Sequence, residues 1–148
     1  MHTALLFLGI VVLLKVNKKA GMIDRVALSN TELAKHTIDV SFKEFNDIKI
    51  PLADTKNIIA KAIRTGKPQS TTDWQFLFAP VLTPEQARLN QASGGIAYSA
   101  VYPLKAGDGG ALIFSYFQYQ SKIGVPQQEF MQAYAELVDE KMAAKAAK

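Results

Sequence analysis

The sequence predicts an α+β fold: an antiparallel sheet with a long C-terminal hairpin, flanked by helices and set behind an N-terminal hydrophobic helix. Three observations predict it. Residues 96–104 and 111–120 are rich in β-branched and aromatic side chains, and the Gly-Asp-Gly-Gly chemistry of residues 105–110 turns one back on the other. Between and after the strand candidates, apolar residues recur at helical spacing behind recognisable caps. At the front, an uncharged apolar run from Ala4 to Leu14 is followed by Lys15, Lys18 and Lys19.

With 148 residues, 49% of them apolar and 20% charged, the chain has the composition of one folded domain. Residues 1–21 read as a membrane anchor with its basic flank, and 22–148 as a single α+β domain with an N-terminal stalk helix and a C-terminal helix. A helical span needs about 20 apolar residues, so the run over residues 3–16 is short unless Lys15 snorkels and the helix continues toward Ala20. A cleavable signal peptide competes, but it wants positive charge before the apolar run and small residues after it. Here that order is reversed. The expectation is a single-pass, membrane-anchored protein, with the lysines favouring a cytoplasmic domain.

Residues 22–36 place Ile23, Val26, Ala27, Leu33 and Ala34 on one helical face, with a capping box at Ser29 to Glu32. The alternating stretch 37–42 reads as a strand, and 48–52 as a short extended piece that Pro51 holds at a sheet edge. Asp54 opens a helix through Thr65, where Ile58, Ile59, Ala62 and Ile63 share a face and Gly66 and Pro68 stop it. Residues 70–73 form a polar loop. Residues 74–81, WQFLFAPV, read as a buried strand. Thr83, Pro84 and Gln86 supply an N-cap, a first-turn proline and a capping-box partner for a helix toward Gln91, which Ser93, Gly94 and Gly95 end. After the hairpin, Pro126 opens a helix carrying Phe130, Tyr134, Leu137 and Val138 on one stripe.

Residues 94–123, GGIAYSAVYPLKAGDGGALIFSYFQYQSKI, resemble the closing hairpin of PAS-like and Cache-like sensory domains. The strand ending in the apolar-Pro-Leu element of Val101 to Leu104, the glycine turn, and the Gly-Ala-Leu-Ile start of the next strand carry the likeness. An anchor leading into a long helix before the sheet is also similar to such sensors. The resemblance implies a small-ligand pocket. Its candidate lining is Trp74, Tyr98, Tyr102 and Tyr116, with Arg88 more distant, in a cavity between Trp74, Tyr98 and Tyr116.

Strict alternation puts Tyr98 and Tyr102 on one face of their strand, and Phe114 with Tyr116 on one face of the next. Ile113, Phe117 and Tyr119 project from the opposite face, which a helix or another subunit must cover. These three are the candidate partner interface.

Other chemistry finds little support. The chain has no cysteine, which excludes disulfides, Cys-ligated zinc, c-type haem attachment and thiol catalysis. Its two histidines, His2 and His36, do not make a pair, and Asp39, Glu44 and Asp47 lack the spacing of a calcium loop. The glycine stretches precede strands and not helices, unlike phosphate-binding loops. No nucleophile elbow is present, and no cofactor is implied. The net charge of +4 is too scattered for a nucleic-acid footprint. The expected function is non-catalytic: an anchored accessory or structural subunit of a membrane complex with protein partners, or alternatively a PAS-like or Cache-like module sensing a small molecule.

Overall fold

A computed structural model describes residues 8–29, 35, 47–117 and 123–146. Six strands form one antiparallel sheet in the order β3-β2-β1-β6-β5-β4. They are β1 (Leu8–Asn17), β2 (Met22–Leu28), β3 (Lys49–Pro51), β4 (Gln69–Thr71), β5 (Ile96–Leu104) and β6 (Gly110–Phe117). Helices α1 (Ile58–Thr65), α2 (Gln75–Phe78) and α3 (Pro84–Gly94) cover one face, and α4 (Val125–Ala146) covers the other. The expected α+β class with an antiparallel sheet between helices is the class found.

The start of the chain is the main correction. From Leu8 onward the apolar run is not helical: it is β1, in the middle of the sheet, paired to β2 on one side and β6 on the other. Ile10, Val12 and Leu14 face the three-helix layer, whereas Leu8, Val11 and Leu13 face α4. A strand covered on both faces has no polar side to alternate with, so its sequence is continuously apolar and cannot be told from a membrane helix by periodicity. Among the described residues no helix is long and apolar enough to cross a membrane.

Lys18 and Lys19 lie in the β1-β2 turn, where Asn17 Oδ1 accepts from Ala20 N at 3.2 Å and Gly21 takes a φ of 67°. The next seven residues form β2 and not a stalk helix, because β1 offers them a full ladder of pairing. A register shift at Leu13/Leu14 leaves Val26 as the extra, 47% exposed residue of a bulge. The capping box at Glu32 and the strand expected at 37–42 lie outside the described residues.

Later elements follow the sequence more closely. β3 is an edge strand, as Pro51 demands. The cap of α1 is Asn57 and not Asp54: its Oδ1 accepts from Ile59 N at 2.8 Å and Ala60 N at 3.2 Å. Asp54 acts one turn earlier, accepting from Lys56 and Asn57 N. The stretch expected as a polar loop from Ser70 begins inside β4, the opposite edge strand.

The stretch read as a strand from Trp74 contains α2 instead. Trp74, Leu77 and Phe78 are buried at i, i+3 and i+4, while Phe76 is 44% exposed, so helical spacing overrode the aromatic alternation. Asp73 starts the turn by accepting from Gln75 N at 3.0 Å. The capping box of Thr83 and Gln86 is formed as expected, and α3 ends where Gly95 turns left-handed at φ 69°. The expected β5-β6 hairpin is formed, with Leu104 opposite Gly110. Gly110 is required by its neighbour: a Cβ there would strike the Leu14 carbonyl of β1.

Candidate ligand groove

The two faces of the β5-β6 hairpin divide the residues picked from sequence. Ser99, Val101, Ile113 and Ser115 point to the three-helix layer; Tyr98, Tyr102, Leu112, Phe114 and Tyr116 point to α4. Trp74 therefore does not share a cavity with Tyr98 and Tyr116, because the sheet lies between them. Its indole is 4% exposed and donates from Nε1 to Ser99 Oγ at 2.9 Å, and Ser99 Oγ lies 2.7 Å from Ser115 Oγ. The Phe78 ring meets it edge-on at 5.2 Å. This is closed core chemistry, with the one polar atom of the indole satisfied.

Arg88 does not reach the tyrosines either. It stands on α3, and its Nε donates to Asp73 Oδ2 at 3.2 Å. Burial pushes the Asp73 carboxyl up, but hydrogen bonds from the Gln75 N–H, Arg88 and the Gln75 side chain outweigh it and hold the group below its ordinary value. The pair fastens α3 to the start of α2. Gln91 adds a clamp, accepting from Trp74 N and donating to the carbonyls of Thr72 and Ile96.

Ile113 is corrected as a partner contact. It is 3% exposed because α1–α3 of the same chain cover its face. Phe117 is partly buried at the end of β6, and Tyr119 lies outside the described residues.

The structure does bring the three tyrosines together. Tyr98 of β5 lies opposite Tyr116 of β6, with ring centroids 6.5 Å apart. Tyr102 packs edge-on against Phe114 at 5.7 Å. Burial, followed by the neighbouring phenols Tyr102 and Tyr98, pushes the Tyr116 hydroxyl up to about 12. Burial and then Tyr98 also raise Tyr102. Tyr102 and Tyr116 are therefore neutral at physiological pH, and a phenol hydroxyl can both donate and accept.

One helix covers this face. Phe130, Met131, Tyr134 and Ala135 of α4 pack on Phe114 and the tyrosines. At the margin the sheet narrows to β4, only three residues long, and α4 overhangs it. The space between is a groove of about 480 Å³ lined by Pro68, Gln69, Ser70, Tyr98, Ala100, Tyr102, Gln128 and Met131. It continues along α4 past Glu129, Gln132 and Glu136 as a further hollow of about 460 Å³ that again includes Tyr102. Tyr116 is fully buried against Tyr98 and lines neither hollow.

α4 has a local contact at its start and one long-range tie near its end. Gln127 Oε1 accepts from Gly124 N at 3.0 Å, and the Asp139 carboxylate accepts from Lys105 N and Ala106 N at 2.9 and 2.7 Å. The second contact ties the helix to the β5-β6 turn.

Sequence reasoning missed Gln69, Ser70, Gln128 and the two glutamates. They are polar residues on an edge strand and an outer helical face, all exposed except the half-buried Gln69, and no local pattern marks them. It also missed Arg25, which faces the helical layer with its guanidinium 5.8 Å from the Phe78 ring centroid; burial lowers its pKa to about 10. Among the described residues no group of three or more His, Cys, Asp or Glu is placed to hold a metal ion. Of the acidic trio, Asp47 is exposed, and Asp39 and Glu44 lie outside the described residues.

No protein-family model matches the chain, and no curated protein matches it. Solved structures do. The GAF domain of a two-component sensor histidine kinase from Bacillus halodurans superposes with a TM-score of 0.64 at 14% identity, over 95% of this chain and 84% of that one. A GAF domain/HD domain protein from Geobacter sulfurreducens gives 0.61 at 12% identity, over 93% and 84%. Residues 122 to 287 of a methyl-accepting chemotaxis protein give 0.58 at 11%, over 95% and 80%. At these identities the likeness is one of fold. The chain has the fold of GAF domains, a PAS-like sensory fold; the Cache-like half of the expected resemblance does not reappear.

Proposed function

We propose that this chain is a GAF-like module that senses a small molecule in the groove between α4 and the β4-β5 margin, by binding and not by catalysis. The observation that carries the reading is the convergence of Tyr98 and Tyr102, with Tyr116 behind them, on a hollow of about 480 Å³ under a single helix. Ligand sites commonly measure about 300–1,000 Å³ and combine aromatic walls with a few polar groups. Tyr98, Tyr102, Gln69, Ser70 and Gln128 are such a set.

The accessory-subunit reading drew on an anchor in the N-terminal apolar run, on the lack of catalytic groups, and on an apolar strand face that a helix or another subunit must cover. The chain's own helices cover that face at Ile113. The fold of sensory domains gives further support to the sensing reading, although it does not identify a ligand.

A thermal-shift screen of the chain against small metabolites tests it. Compounds that raise the melting temperature should lose that effect in Tyr98→Ala and Tyr102→Leu. Stabilisation that persists in both variants would place the ligand elsewhere and remove the basis of the proposal.

A further inference from the structure

We propose that the groove takes an organic cation, an alkylated or primary ammonium group, held against Tyr102 and Tyr98 and flanked by carboxylates of α4. This rests on the sensing reading and specifies its ligand. Two phenol rings line the hollow, and aromatic rings attract ammonium groups through their negative faces. Glu129 and Glu136 stand in the α4 wall of the adjoining hollow, which shares Pro68, Tyr102 and Gln128 with the first. They are seven residues apart, two helical turns, so they share a side of the helix.

Among the described residues lining the two connected hollows there is no Lys or Arg. Lys105 borders only the far end, next to Asp139. An anionic ligand would meet two carboxylates and the phenol oxygens with no counter-charge, and a neutral one could take hydrogen bonds from the glutamates' acceptors but no charge pairing.

A bare metal ion fits poorly. Two carboxylates seven residues apart on one helix are separated by about 10 Å along its axis, too far to chelate one ion. Gln132 Nε2 also donates to Glu136 Oε1 at 2.9 Å, which orients that carboxylate along the helix. Such spacing suits a cation with a body, either a quaternary headgroup on an alkyl or aryl tail or a diamine reaching both glutamates.

The test is a titration of the full chain at constant ionic strength, followed by NMR of the tyrosine rings and of the Gln69 and Gln128 side-chain amides. The probes are tetramethylammonium, benzyltrimethylammonium and 1,5-diaminopentane, beside the neutral isostere 3,3-dimethylbutan-1-ol and the anion benzoate. Saturable shifts at Tyr98 and Tyr102 are expected with the cations, and tighter binding of the diamine or of the quaternary probes tells the two kinds of cation apart. Removing both charges in Glu129→Gln/Glu136→Gln, which alters only exposed positions, should weaken binding on the order of tenfold. Tyr102→Phe keeps the ring and should keep cation binding, whereas a ligand held by the phenol hydroxyl would be lost. If the alcohol or benzoate saturates the same resonances as tightly as the cations, the cation assignment is overturned while the groove remains a ligand site. If no cation shifts those resonances, the assignment also fails, and the metabolite screen judges the sensing reading separately.

Discussion

The two faces of the sheet are built from the same strands yet differ in kind. The face under α1–α3 is mostly aliphatic, with Ile10, Val12, Leu14, Val101 and Ile113 around a single indole whose N–H is bound. The face under α4 is aromatic, with three tyrosines and Phe114 beneath one helix. Three short helices meeting at several angles can seal a surface; one long helix covers a strip and leaves its margins open. Closure here depends on how many elements lie over a face more than on how apolar that face is.

The comparison is broken most severely from its closed side. Trp74→Ala should destabilise the domain by about 3–5 kcal/mol, since it opens a large void where nothing can collapse into it. Equilibrium urea unfolding measures this; a loss below about 1 kcal/mol would mean that the indole is not core.

Asn57→Ala should cost about 2 kcal/mol. Its side chain caps α1 and also donates to the carbonyls of Leu77 and Ala79, at 2.7 and 2.9 Å, so the change frees two helix N–H groups and two carbonyls together. Amide hydrogen exchange should rise in α1 and α2 while α4 stays protected. Equal loosening of α4 would show that the two faces are not independent.

On the open side the pattern reverses. Tyr102→Leu keeps a hydrophobic side chain in an 8% exposed position and should cost less than about 1.5 kcal/mol, yet it should abolish ligand-induced stabilisation. Comparison of unfolding curves with and without ligand separates the two effects.

The last effect appears only at alkaline pH. In the unfolded chain Tyr116 ionises near its ordinary value of about 10, whereas the folded protein holds it to about 12. The unfolded state therefore loses this proton first. The contribution is whole below about pH 10 and is lost as pH rises from there toward 12. Tyr116→Phe should make the alkaline limb of the stability profile shallower, as read by urea midpoints across that range.

Sequence patterns revealed what local chemistry determines. The β5-β6 hairpin, the Thr83 capping box, the edge position of Pro51 and the helix after Pro126 are all set within a few residues of themselves. β1 was illegible for the opposite reason: its apolar continuity reflects two covers supplied by distant segments. The aromatic run at Trp74 fits periods of 2 and 3.6 alike over its first residues, and Leu77 with Phe78 decides it only once the core is known. Alternation correctly paired Tyr98 with Tyr102 and placed Tyr116 near them. It could not say that Trp74 belongs to the other side of the sheet, nor that residues as ordinary as Gln69 and Gln128 would complete the groove.

The hydrogen bonds of Asp139 to the β5-β6 turn make α4 a lever with a fulcrum. Gln128, over the groove, lies eleven residues before that point, and Ala146 seven after it, which are arms of about 16 and 10 Å at 1.5 Å per residue. A rigid rod pivoting there reverses direction and scales displacement by the ratio of its arms. A shift of 1 Å at Gln128 thus becomes an opposite shift of about 0.6 Å at the far tip. Were a ligand in the proposed groove to tilt the helix about that point, its two ends would move in opposite directions.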